Sequence, residues 1–154
     1  MPYFRFPKQR QYKYELARGQ FSPQDLDLDS HDVLDVLTEL GVTSVYCRYN
    51  GGHDEGFAYL SGVKLKDEII EFDDLKHQLA EGSLGIKKSK NLNRYYSYIG
   101  SPSKEQCVEF YLDGFARFLA TRLLGQGYGT GEYSMKGAFK ANLKTGQITD
   151  EQEQ

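Results

Sequence analysis

The chain has no tryptophan, two methionines, four prolines and only two cysteines in 154 residues. Two cysteines, Cys47 and Cys107, far apart and each set among apolar residues, are too few for a disulfide scaffold. A zinc site would bring closely spaced Cys or His residues, and there are none. Both thiols are expected to be reduced, in or near the core. No apolar run approaches the roughly 20 residues that a membrane-spanning helix needs. The opening residues, Met1-Pro2-Tyr3-Phe4-Arg5-Phe6-Pro7, lack the apolar stretch and cleavage site of a secretory signal. A cytoplasmic protein with no membrane association is the expectation. Charge of one sign is also scarce: 19 Lys and Arg stand against 22 Asp and Glu, a net −3. Nothing global draws the chain to a polyanion, so nucleic acid is not an expected partner.

What is abundant is aromatic: 12 Tyr and 9 Phe lift an apolar fraction of only 39% into large, area-burying side chains. The length suits one core. A single domain over 1–154 is expected, with residues 1–20 a possible arm and 150–154 a frayed polar tail.

The pattern along the chain predicts an α+β fold, a single layer of mostly antiparallel sheet packed by two main helices. Ser22-Pro23 opens a short helical turn. Ser30 begins a helix whose Val33, Leu34, Leu37 and Leu40 share one face, and Gly41 stops it. Val42–Tyr49 and Phe57–Leu60 read as strands around a glycine-rich loop, Asn50 to Gly56. A short strand over Glu68–Phe72 and a helix capped by Asp73 follow. Residues 82–100 read as irregular. Ser103 to Leu124 predicts a second main helix with a wide apolar face, including Val108, Tyr111, Leu112, Phe115 and Leu119. A terminal hairpin turns at Lys144-Thr145-Gly146.

Four places offer chemistry. His53, Asp54 and Glu55 lie within the glycine loop, where an imidazole beside carboxylates suits a divalent metal or acid–base work. His53 and Asp54 are the candidate metal ligands, and Asp54 and Glu55 candidate binding residues. Tyr95 and Tyr96, next to Lys87, Lys88, Lys90 and Arg94, are the second binding candidates, since tyrosines stack and lysines neutralise phosphate. The cluster Asp25, Asp27, Asp29, Asp32 and Asp35 suits a basic protein partner, or simply a helix N-terminus. The glycine run 125–131 follows a helix and lacks a phosphate-binding pattern. There is no Gly-x-Ser-x-Gly elbow, no catalytic residues are assigned, and no motif implies a cofactor.

The run Leu40-Gly41-Val42-Thr43-Ser44-Val45 followed by Tyr49-Asn50-Gly51-Gly52-His53-Asp54-Glu55-Gly56-Phe57 resembles an uncharacterised bacterial domain-of-unknown-function family. Its pattern is a helix, a strand, an acidic glycine loop and a C-terminal hairpin, here Gly137 to Leu143. The resemblance covers about half the chain. Gly51, Asp54 and Gly56 match the loop motif, whereas Asn50, Glu55 and Lys136 depart from it. It implies the fold outline and no activity.

The function that follows is a small bacterial or phage protein-binding or regulatory module, immunity-like or accessory, rather than an enzyme. The alternative is a small metal-dependent enzyme, such as a hydrolase, centred on Asp54, with Glu132 or Asp150 completing the cluster.

Overall fold

The computed structural model describes residues 18–52, 55–81, 104–125 and 135–151. They form an α+β fold: six antiparallel strands in one open sheet, with three helices on one of its faces. In chain order these are β1 (Arg18–Gln20), a single 3₁₀ turn (Pro23–Asp25), α1 (Leu28–Leu40), β2 (Val42–Gly52), β3 (Glu55–Leu65), β4 (Glu68–Glu71), α2 (Phe72–Glu81), α3 (Lys104–Leu124), β5 (Met135–Asn142) and β6 (Gln147–Glu151). The sheet order is β1-β6-β5-β2-β3-β4.

The 3₁₀ turn is tied by the Asp25 carboxylate, which accepts from the Ser22 N–H at 3.0 Å and the Ser22 hydroxyl at 3.2 Å. α1 starts earlier than its apolar face suggests. Asp27, not Ser30, is the N-cap, and its carboxylate accepts the Ser30 N–H at 2.7 Å. The helix ends where Gly41 turns left-handed at φ 95°, a conformation a Cβ would oppose, and its N–H closes onto the Leu37 and Thr38 carbonyls. Val33, Leu34, Val36 and Leu37 are buried beneath it.

β2 and β3 make the longest pairing, from Val42↔Leu65 to Gly52↔Glu55. The glycine-rich segment is therefore mostly strand: Asn50, Gly51 and Gly52 oppose Phe57, Gly56 and Glu55. A register shift after Tyr46 leaves Ser61 as the extra residue, and its hydroxyl donates to the Tyr46 carbonyl at 3.0 Å. β3 turns into β4 through Lys66 and Asp67, both at positive φ (51° and 67°), as a tight two-residue hairpin turn requires.

Strand alternation puts Val45, Cys47, Leu60, Val63, Phe139 and Ile148 against the helices, all at most 1% exposed. α3 covers them with Tyr111, Leu112, Phe115, Leu119 and Leu123, and α2 adds Leu75 and Leu79. Phe21, just after β1, meets the rings of Phe115 and Phe118 edge-on at 6.3 and 6.4 Å. α2 is a third helix on this face, beside the two main ones.

Both ends of the chain differ from expectation. Arg18–Gln20 is not an arm but the edge strand β1, paired with Gln147–Thr149. Asp150 and Glu151 are not frayed: they continue β6, opposite Phe139 and Ala138. Asp150 is 3% exposed because it faces the core side and accepts from the Tyr49 hydroxyl.

Candidate functional site

Of the residues singled out in the sequence, His53, Asp54, Tyr95 and Tyr96 lie outside the described residues, as do Lys87 to Arg94 and Glu132. Glu55 opens β3 opposite Gly52, and this pair is the tip of the described β2–β3 ladder, where the sequence reads a loop. Asp150 does not lie near that tip. Its row in the sheet is Asp150–Phe139–Cys47, five residues down β2 from Gly52, or about 16 Å at 3.3 Å per residue. Among the described residues no group of three His, Cys, Asp or Glu side chains is placed to hold a metal ion.

The acidic cluster fares differently. Asp25, Asp27 and Asp29 line one wall of a cleft of about 510 Å³ between the start of α1 and the middle of α3. Tyr111, Phe115 and Phe118 form its aromatic floor, and Arg117 and Arg122 stand on the α3 side. Arg122 is partly engaged: Nη2 is 3.5 Å from the Asp25 carboxylate, and Nε donates to the Gln20 carbonyl at 3.2 Å. The Tyr111 hydroxyl donates to the Asp32 carboxylate in a short hydrogen bond, which pins α1 to α3 beside the cleft. Leu28, between Asp27 and Asp29, is 82% exposed.

From this cleft the acidity runs on along α1. The helix carries Asp29, Asp32, Asp35 and Glu39 and has no Lys or Arg. His31 sits 3.3 Å from Asp35 on the next turn. The α1 acids were legible in the sequence. Their aromatic and arginine counterparts were not, because Phe115, Phe118 and Arg122 come from a helix almost a hundred residues downstream.

A second site, unforeseen in the sequence, lies between α3 and β3. Asp113 projects from the apolar side of α3, and its carboxylate accepts the Leu60 N–H at 3.4 Å. Desolvation pushes its pKa up to about 6, assisted by the Glu109 carboxylate one turn away and opposed by the Leu60 N–H, Arg117 and Lys76. Cys47 is fully buried nearby. Burial, with Asp113 adding to it, pushes that thiol well above its ordinary range. A neutral, enclosed thiol is a poor nucleophile.

No protein family, curated protein or solved structure matches the chain.

Proposed function

We propose that the chain is a protein-binding module, an accessory or regulatory protein of the immunity-like kind, whose partner is basic and docks along α1. The observation that carries this reading is the continuity of the acidic side of α1 with the aromatic-floored cleft. Four carboxylates on a thirteen-residue helix without a Lys or Arg make a field that steers a cationic partner. At the end of that field the cleft suits a Lys or Arg side chain. Its aliphatic stem would lie on Phe118 and its charged head would reach Asp27 or Asp29. Leu28 supplies the exposed apolar contact beside it.

The test is a photo-crosslinking residue placed at Leu28, in the cells that make the protein. One basic protein should be captured, and capture should drop at least tenfold in the Asp35→Asn/Glu39→Gln variant, whose two changes lie on exposed helix surface. No captured species, or capture indifferent to these charges and to added salt, would overturn the reading.

A further inference from the structure

The net charge of −3 conceals a segregation of charge across the sheet. The face away from the helices carries the other half of the strand alternation, and among the described residues no helix covers it. On the three central strands, this face presents Arg48 from β2, Lys64 from β3, and Lys136 and Lys140 from β5. On those strands the alternation gives this face one acidic position, Glu55, the first residue of β3, opposite Gly52. Its other acids, Glu71 and Glu151, sit on β4 and β6. Among the described residues no carboxylate pairs with Lys64, Lys136 or Lys140.

Aromatic rings are interleaved with these bases. Tyr59 lies directly opposite Arg48, and Phe57 opposite Asn50, which is flanked on its other side by Lys136. Tyr46 is opposite Lys140, whose ammonium lies 6.0 Å from the ring centre. Phe57 is 53% exposed and Tyr59 is 43% exposed. Large side chains held at that exposure on a rigid strand cost solubility and add nothing to the core. Two residues apart, they stand about 7 Å from each other on one strand. That spacing lets each ring take one base of an extended chain.

We propose that this face binds single-stranded nucleic acid, with bases stacked on Phe57 and Tyr59 and phosphates running over Arg48, Lys136 and Lys140. Positive charge beside exposed aromatic rings on an open sheet is the combination that sequence-tolerant single-strand binding uses. A duplex keeps its base faces hidden and has nothing to offer the rings. An acidic peptide would satisfy the lysines and leave the rings without stacking partners. The proposal is separate from the α1 reading, because the two surfaces lie on opposite sides of the core. Together they describe a protein that reads a nucleic acid with one face and a basic protein with the other.

The experiment is fluorescence anisotropy with labelled oligothymidylate of about 12 nucleotides, within the usual site sizes. Saturable binding is expected at about 50 mM salt, weakening as salt rises. Tyr59→Ala and Phe57→Ala should each weaken it about tenfold, as loss of one base–ring stack does. Tyr59→Trp should retain it, which shows that loss in the alanine variant is loss of stacking and not of folding. Lys136→Gln/Lys140→Gln should lower the salt slope by about 1.4, at about 0.7 per phosphate contact on a single strand. The proposal is overturned by no binding up to about 100 µM, the weak end of non-specific affinity. It is equally overturned by equal affinity for duplex of the same length, or by full competition from poly-glutamate at equal charge, which would make the partner an acidic protein. The Asp35→Asn/Glu39→Gln variant should bind the oligonucleotide at least as well as the parent, so failure of either reading leaves the other testable.

Discussion

The Tyr49 hydroxyl is held against the Asp150 carboxylate, 3.2 Å from one oxygen and 3.3 Å from the other, inside the helix-covered side of the sheet. Tyr49 is 4% exposed and Asp150 3%. The ring reaches Asp150 by crossing the backbone of Gly137, its partner on β5. A Cβ at Gly137 would stand 2.6 Å from the hydroxyl oxygen and 2.8 Å from the ring carbon bearing it. The tyrosine cannot step aside without releasing a buried carboxylate. Gly137→Ala should therefore cost about 2 kcal/mol or more through overpacking, and Tyr49→Phe about 1–3 kcal/mol through the donor lost to Asp150. The double variant should cost less than the two added together, because removing the hydroxyl also removes the closest clash. Urea unfolding of the four proteins checks this. Strict additivity would mean that the ring does not lie over Gly137.

The sequence makes the periodic elements legible, and the misreadings share a physical reason. α1 and α3 announce themselves through apolar faces such as Val33-Leu34-Leu37 and Leu112-Phe115-Leu119. Val42–Tyr49 alternates clearly enough to show both its faces. The glycines at 51, 52 and 56 look like a loop because glycine is a poor strand former, yet pairing with β5 on one side carries β2 through to Gly51. Asp150 looks like a polar tail because the hydroxyl that bonds it in the sheet, that of Tyr49, lies 101 residues away. Asp113 reads as an ordinary polar position on a helix. Its desolvation comes from β3, which no local pattern reveals. The aromatic and basic face is half legible: Tyr46 and Arg48 alternate away from the core, but their opposition to Lys140 and Tyr59 depends on register.

Asp113 makes stability fall as pH rises through mild acid. Its folded pKa, about 6, lies above the ordinary 3.8, so between those values the folded state binds more protons than the unfolded one. Stability then decreases with rising pH over that window and is level, for this group, above it. Asp113→Asn removes the ionised form while keeping an oxygen to accept the Leu60 N–H. The variant should be more stable than the parent at pH 8 by on the order of 1 kcal/mol, a figure reduced for the partial exposure of the carboxylate. That advantage should shrink as pH falls from 6 towards 3.8. Chemical denaturation of both proteins at pH 8 and pH 4 measures it. An advantage that grows towards acid would show that Asp113 is stabilised as a carboxylate.

Cys47 should report global unfolding. It is 0% exposed, its thiol is held neutral by burial, and it sits on the central strand β2. In a Cys107→Ala background, a thiol reagent should label it only through opening of the sheet, at a rate that rises with denaturant as the global unfolding equilibrium does. Rapid labelling in native buffer would mean that α3 and β2 separate in a local motion.

The cap of α1 joins stability to the proposed partner surface, and the two roles can be separated. Asp27 holds the Ser30 N–H at 2.7 Å and also lines the cleft. Asp27→Ala removes both the acceptor and the charge, and should cost about 1 kcal/mol of stability. Asp27→Ser keeps a capping oxygen and removes only the charge, so its stability should stay within a few tenths of a kcal/mol of the parent. Ser30→Ala retains the capped N–H and places a better helix former in the first turn, so it should cost less than Asp27→Ala. Thermal melts order the three. If Ser30→Ala proves the most damaging, the helix begins at Ser30 after all, and Asp27 is free of the cap. If the order holds while Asp27→Ser loses crosslinking at Leu28, the charge at the helix start serves the partner and the oxygen serves the fold.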